Sequence, residues 1–487
     1  MSTFFARKIL ESHIDLTNYT FKQHIMFSKE IYINRREKLR QSMKDGIALF
    51  LGNPDAPMNC PHNIYHYRQD SNFLYFFGLD HPGFAGVCDI DNDKDYIFGN
   101  DVDIDDIIWM GPQPSVKDQS AQVGVENTAS FSDLNTFIAD AMKAGRKIHF
   151  LPVYRAENKI LLEELVGVKP ADIKANVSEE FIKAIVALRE IKEPCEIVEL
   201  ERAAETGYQM HVAAMKMAQD GVYEREVAGE VEAISLRAGG MLSFPAIVSK
   251  RGETLHNHEH GNLLKKGDLL LVDCGAETDT HYASDNTRTI PVGGQFTQKQ
   301  KEIYEIVLAA INKGTELVRP GVDYRSIHLE VCKVIASGLI KLGLMKGDAD
   351  AAVAAGAHTL FMPHGLGHMM GLDVHDMEDL GEDYVGYDDK IQRASEFGTA
   401  YLRLGKELKP GFVITNEPGI YFIPALIDKF QNEKQYLDYI NYDKVNEYRD
   451  FGGIRLEDDL LVTEDGCQLI GKRIPITVEE VESTVLS

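Results

Sequence analysis

The chain reads as an α+β protein: an α/β N-terminal domain followed by a larger domain of helices and hairpin strands. Three observations predict this. The composition, 44% hydrophobic and 26% charged, is that of an ordinary globular chain, and 487 residues suffice for two or three domains at roughly 150 residues each. Short apolar strand-like runs alternate with helix formers before residue 175. Beyond residue 178 long helical patterns and strand-like runs fall in separate blocks, which argues against a doubly wound parallel sheet.

Taken in order, residues 1–26 form a weakly patterned leader, with Met26 as an alternative start. Arg7, Lys8, Glu11 and Asp15 interrupt it before an apolar secretory segment can form. The N-terminal domain is placed at 27–175. It begins with a charged helical stretch at 28–43, continues with the strand Ile-Ala-Leu-Phe-Leu-Gly and an Asn53-Pro54-Asp55 turn, and carries further apolar runs at 73–79 and 84–90. The second domain is placed at 178–475. Its helical patterns cover 194–219, 223–238, 297–313 and 324–344, and its strand-like runs cover 268–274, 281–292, 412–416 and 453–462.

The net charge of −25 argues against nucleic acid as a partner, because a phosphate backbone rewards Lys and Arg. No apolar run approaches the roughly 20 residues of a membrane span. Six scattered cysteines without a CxxC pair suit reduced thiols, so a cytoplasmic location is expected.

Two motifs fail on inspection. Asp89-Ile90-Asp91-Asn92-Asp93 resembles the start of a calcium loop, but Lys94 and Asn100 occupy the positions that need Gly and Glu, so a turn between strands is expected. His364-Gly365-Leu366-Gly367-His368 has the spacing of a helical zinc site without its glutamate. Its two glycines would each weaken a helix by about 1 kcal/mol, so a loop or strand end is expected where backbone approaches something closely.

Four acids lie beside apolar strand-like runs: Asp273, Asp285, Glu417 and Glu457. Such acids are costly to bury unless paired or metal-bound. Each alone reads as a surface or salt-bridged carboxylate.

Taken together, LVDCGAE with SDNTRT, HGLGH with GLDVHD, NEPGIY, and GIRLEDD resemble, in order, the motifs of the pita-bread metallopeptidases of the aminopeptidase P and prolidase group. The resemblance spans nearly the whole chain after the leader, and residues 67–73 resemble the aminopeptidase P signature, with Leu74 where a Trp often follows. It implies a creatinase-like N-terminal domain, a pita-bread catalytic domain, and a homodimer or higher homo-oligomer. It also implies two divalent metal ions, Mn²⁺ by donor type, held by Asp273, Asp285, His368, Glu417 and Glu457. His256, His364 and His375 are implied to bind substrate and developing charge, Arg455 to orient the metal-side network, and Arg403 to hold a dipeptide carboxylate as in prolidases. The extra His258 and His260 have no counterpart and read as a solvated loop.

The chemistry agrees independently: four carboxylates balance two divalent cations, and a pair of such ions about 3.5–4 Å apart can acidify water and polarise a carbonyl. The expected activity is removal of an N-terminal residue preceding proline, with Xaa-Pro dipeptide cleavage as the alternative. A non-catalytic pita-bread binding protein is a remote third reading, since all five ligand positions are intact. Asp273 to Asp285 is one residue longer than usual in the family, and the insertion is placed in the 277–280 turn. The long stretch from Glu417 to Glu457 resembles prolidases.

Overall fold

The computed structural model describes residues 26–487; the leader expected at 1–26 therefore lies outside the described residues except at Met26. The chain forms two compact units, one built chiefly on Lys44–Ile148 and the other on Val168–Ser487. No helix of the described residues is long and apolar enough to cross a membrane.

The first unit carries helix α1 (Lys29–Ser42) and a five-stranded sheet. Its strands are β1 (Ile47–Leu51), β2 (Ala85–Asp89), β3 (Lys94–Phe98), β4 (Asn127–Ala129) and β5 (Ile148–His149), in the order β4-β3-β2-β1-β5. The β2–β3 hairpin turns through Ile90–Asp93, so the failed calcium motif is indeed a turn. The 67–73 signature has a structural task here. Asp70 caps helix α2 (Ser71–Phe77) by accepting from the Asn72 and Phe73 amides, and Gln69 accepts from the Asn53 amide at 2.6 Å.

The second unit repeats one motif twice. Helices α3 (Pro194–Met217) and α4 (Glu224–Arg237) precede strands β6 (Ile247–Ser249), β7 (Leu269–Cys274) and β8 (Asn286–Pro291), in the order β8-β7-β6. Helices α5 (Gln298–Leu317) and α6 (Tyr324–Lys341) precede β9 (Val413–Asn416), β10 (Gly419–Tyr421), β11 (Gly453–Arg455), β12 (Asp458–Val462) and β13 (Cys467–Leu469). In the first half the Gly221 amide donates to Leu264 O, and the Leu264 amide to Val222 O. In the second half Gly321 and Leu408 do the same with Leu408 and Val322. Gly267 pairs with Val292 as Gly411 pairs with Val462, at 3.0 and 2.9 Å. The halves meet where Thr287 and Glu457 form an antiparallel bridge.

This register places Asp273 where the second half has Glu417, Thr287 where it has Glu457, and Asp285 where it has Arg455. Two expected strands are shorter than the sequence suggested. The 281–292 run is extended only from Asn286, because a loop with His281 at φ 68 precedes it. The 453–462 run breaks at Leu456 and Glu457, where the chain crosses from β10 to β9 as its pairing partner.

Candidate metal centre

All five expected ligands line one cleft of about 580 Å³ in the second unit, together with His256, His258, His364, His375, Arg403 and Arg455. Asp273 is the penultimate residue of the buried strand β7, opposite Thr287 of β8. Asp285 sits one residue before β8, and Asp459 Oδ2 fixes it by accepting from its amide at 3.0 Å. Glu417 follows β9 and donates its amide to Leu366 O at 2.8 Å. Glu457 lies in the break between β11 and β12, its amide on Thr287 O.

His368 comes from the glycine-rich loop, which has no regular structure. The glycines permit close approach: a Cβ on Gly367 would lie 2.2 Å from Thr415 O, and one on Gly365 2.5 Å from Leu402 Cα. His368 Nδ1 donates to Met369 O at 3.0 Å, which leaves the Nε2 lone pair 3.3 Å from Asp285 Oδ2 and 4.0 Å from Glu417 Oε1. Burial pulls its pKa down to about 4, so the ring is neutral, the form that binds metal.

Donor atoms of Asp285, His368 and Glu457 lie within 4.8 Å of one another. Asp273 Oδ1 is buried with no hydrogen-bond partner among the described residues. Burial, with repulsion from neighbouring carboxylates, pushes Asp285 and Glu457 well above the carboxylate range and Glu417 up to about 8. Converging acids that crowd one another while an oxygen stays unpartnered fit missing positive charge, and divalent ions supply it.

Arg455 is buried and connects several of these groups. Its Nη2 pairs with Asp273 Oδ2, its Nε donates to Thr287 Oγ1 at 3.1 Å, and its Nη1 donates to the Tyr421 hydroxyl at 3.0 Å. Thr287 in turn donates to Glu457 Oε2 at 2.6 Å. The Tyr421 hydroxyl donates to His364 Nε2 at 2.9 Å, since His364 Nδ1 already donates to Gly365 O and burial holds that ring neutral, near pKa 3. His375 Nδ1 donates to Glu378 Oε2 at 2.5 Å and holds that carboxyl down near 2, leaving Nε2 for the cleft. Its neighbour Asp376 is anchored by Arg189 and Lys192 at 2.6 and 2.9 Å.

His256 lies on the cleft but is exposed. His258, expected in a solvated loop, is exposed and also lines the cleft, while His260 Nε2 lies 3.1 Å from Ala246 O. Arg403 reaches the cleft with its Nε 3.4 Å from both Glu378 and Glu382.

Sequence reasoning missed Tyr421, Asp459 and Glu378. Tyr421 lay within NEPGIY, and the second of two consecutive acids after Glu457 was a usable signal for Asp459. Glu378 left no signal, because its contact to His375 depends on a 3₁₀ turn at Glu378–Leu380.

Known proteins resemble this chain in sequence and in fold. The sequence profile of metallopeptidase family M24 matches residues 198–464, and that of the aminopeptidase P N-terminal domain matches 32–149. The chain is 30% identical to Xaa-Pro aminopeptidase of Escherichia coli K12 over 94% of its length and 98% of that protein's. It is 29% identical to human Xaa-Pro dipeptidase over 92% and 90%. A substrate complex of an alanine variant of Escherichia coli aminopeptidase P superposes with a TM-score of 0.77 at 30% identity, covering 94% of this chain and 98% of that one. The acidic, imidazole-bearing cleft thus lies in a pita-bread domain, and the protein is an enzyme. It belongs to metallopeptidase family M24, in the group of Xaa-Pro aminopeptidases and prolidases.

Proposed function

We propose that this protein is a Mn²⁺-dependent Xaa-Pro aminopeptidase, which releases the N-terminal residue of a peptide whose second residue is proline. Proline makes the scissile amide tertiary and removes its N–H, so the site must recognise the bond without that donor. Asp273, Asp285, His368, Glu417 and Glu457 would hold two ions, and their mainly oxygen donors suit Mn²⁺. When bound, such ions supply Lewis acidity and a nucleophile at neutral pH.

The chain's own residues do the rest. Arg455 pins Asp273 and, through Tyr421, sets His364 as a neutral ring with Nδ1–H committed to Gly365 O. Thr287 occupies one oxygen of Glu457 and so orients the other. His256, His364 and His375 bind the peptide and the charge that develops on its carbonyl oxygen. Phe244, Pro245 and Leu255 give the cleft apolar wall for the proline ring.

One observation favours an aminopeptidase over a dipeptidase: Arg403 lies between Glu378 and Glu382. Glu382 is also paired with Arg393, so Arg403 already serves carboxylates of its own chain and is a poor receptor for the free carboxylate of a dipeptide. Comparable similarity to a human dipeptidase keeps the second reading in play.

The test compares Mn²⁺-loaded enzyme on Xaa-Pro and on Xaa-Pro-Yaa-Zaa, with and without Arg403→Ala. An aminopeptidase cleaves the tetrapeptide well and is nearly indifferent to the substitution. A dipeptidase cleaves only the dipeptide. Losing a charge-assisted contact of roughly 1.5–3 kcal/mol raises its KM about ten- to a hundredfold. That second pattern would sink the aminopeptidase reading.

A further inference from the structure

The acidic centre is not the sole ligand-rich cluster of the second unit. His328 and Cys332 lie one turn apart on α6 and therefore on one face of it, and His358 faces them from the 3₁₀ turn Ala357–Leu360. Their donor atoms all lie within 4.8 Å of one another. The three residues are 1%, 0% and 2% exposed. Cys332 Sγ is 3.7 Å from His328 Nε2. Neither ring nitrogen of His358 has a hydrogen-bond partner among the described residues.

We propose that His328, Cys332 and His358 form a binding site for a soft, thiophilic d¹⁰ cation, Cu⁺ by its charge. The bland reading is a core cluster of histidines, and a satisfied core histidine would use its ring nitrogens. His358 uses neither; an imidazole buried with both nitrogens unpaired is costly, and a cation would relieve the one that carries the lone pair. Burial keeps both rings neutral, with His328 down to about 3 and His358 to about 4, so each has a lone pair to give.

The donor set selects the ion. Two imidazoles and one thiol contain no hard oxygen, so Mn²⁺ and its like belong in the carboxylate cleft and thiophilic ions belong here. Metal–sulfur and metal–nitrogen bonds of about 2.0–2.3 Å put donors roughly 3.5–4 Å apart, so the observed spread closes by small side-chain rotations. Binding replaces the Cys332 S–H bond by an S–metal bond and releases the proton to solvent, with no change of oxidation state. A thiolate neutralises Cu⁺ completely, whereas a divalent ion would leave one net charge in an apolar interior. The bound ion would tie α6 to the segment that supports the catalytic wall: Phe361 O accepts from the Tyr421 amide at 2.9 Å, and His364 follows shortly after.

The site is buried, so the ion must enter as the chain folds. The full chain is expressed with and without copper, purified anaerobically, reconstituted with Mn²⁺ and desalted. Copper and zinc per chain are then measured by elemental mass spectrometry, alongside Tm. Expected are one copper per wild-type chain and a Tm raised by copper, since the assembled site binds the ion more tightly than the unfolded chain does. Cys332→Ala and His358→Leu should retain at least tenfold less copper and show no copper-dependent Tm rise. Cys60→Ala, at an exposed thiol, should match wild type. Should His358→Leu fail to fold, Cys332→Ala, which deletes one sulfur atom, carries the test. Wild type without copper, or Cys332→Ala retaining as much as wild type, overturns the site. Zinc retained in place of copper by the same residues overturns the assignment to a monovalent ion.

Discussion

The two halves of the metallopeptidase unit share a hydrogen-bond scheme yet assign different chemistry to matched positions. Asp273 is the penultimate residue of buried strand β7, Glu417 directly follows buried strand β9, and both line the cleft. At the next pair the halves diverge: Glu457 offers a carboxylate, while its counterpart Thr287 donates to that carboxylate. At the pair after that the roles reverse, for Asp285 lies among the donors and its counterpart Arg455 is the cation that clamps Asp273. His368 O accepts from the Thr415 amide, and the matching place beside Leu271 holds Ser249. Duplication thus supplies a scaffold in which Asp273, Asp285 and Glu457 meet a supporting side chain from the other half, Arg455, Asp459 and Thr287 respectively.

The sharpest way to break this comparison is to treat matched residues alike. Glu457→Ala should lower kcat/KM by roughly 10³-fold or more at saturating Mn²⁺, since metal stabilisation of the transition state is worth several kcal/mol at 1.36 kcal/mol per decade. Thr287→Val should lower it only about 10- to 100-fold, as loss of a residue that orients a ligand does. Equal losses in two variants with wild-type circular dichroism would end the distinction between ligand and support.

A smaller effect separates the histidines of the second half. His368→Ala should reduce bound metal measured by elemental analysis. His364→Ala should leave both ions bound and lower turnover, because both ring nitrogens of His364 are already engaged, by Tyr421 and by Gly365 O, although Nδ1 lies 3.8 Å from Glu417 Oε2. Full metal occupancy in His368→Ala would remove the imidazole from the ligand set.

Metal removal gives a pH signature with a defined sign. In the metal-free protein Glu417 titrates near 8, against an ordinary value near 4.5, because burial and neighbouring acids disfavour its charge. Between those values the folded state holds a proton that the unfolded chain has released, so its stability falls as pH rises through the window. Bound ions displace that proton, so the Tm difference between loaded and metal-free protein should widen from pH 5 to pH 8. A constant or narrowing gap would show that these carboxylates do not gather around the ions.

Much of this was legible in the sequence, for identifiable reasons. Asp273 closes the apolar run 269–272, and Glu417 follows the strand-like run Val413-Ile414-Thr415-Asn416, so an acid beside a strand stood out at both places. His368 stood out through its glycines, whose steric purpose the structure supplies at Thr415 O and Leu402 Cα. The duplication was not legible, because its matched pairs Thr287 with Glu457 and Asp285 with Arg455 share no chemistry, and spacing within the halves differs. Nor was the Tyr421 contact, since which strand carries a hydroxyl to Arg455 depends on the β10–β11 register. The early start assigned to the 281–292 strand failed because His281 takes a left-handed conformation that apolar patterning cannot reveal.

The smallest expected effect tests the outermost matched pair, Thr289 and Asp459. Thr289 Oγ1 donates to Arg455 O at 3.1 Å and accepts from the Arg455 amide at 3.2 Å, while Asp459 Oδ2 accepts from the Asp285 amide at 3.0 Å. Thr289→Val keeps shape but strands a buried N–H and its partner carbonyl, a loss of about 1–3 kcal/mol read as a lower Tm. Asp459→Asn behaves differently. Burial and the nearby Asp285 push the Asp459 carboxyl well above its usual range and so disfavour its charged form, and an amide is likewise uncharged while keeping the accepting oxygen. Its Tm should match wild type, and kcat/KM should stay within about threefold, which corresponds to well under 1 kcal/mol. A tenfold loss of activity in a folded Asp459→Asn would mean that its negative charge balances the ions, and the equivalence with Thr289 would fail.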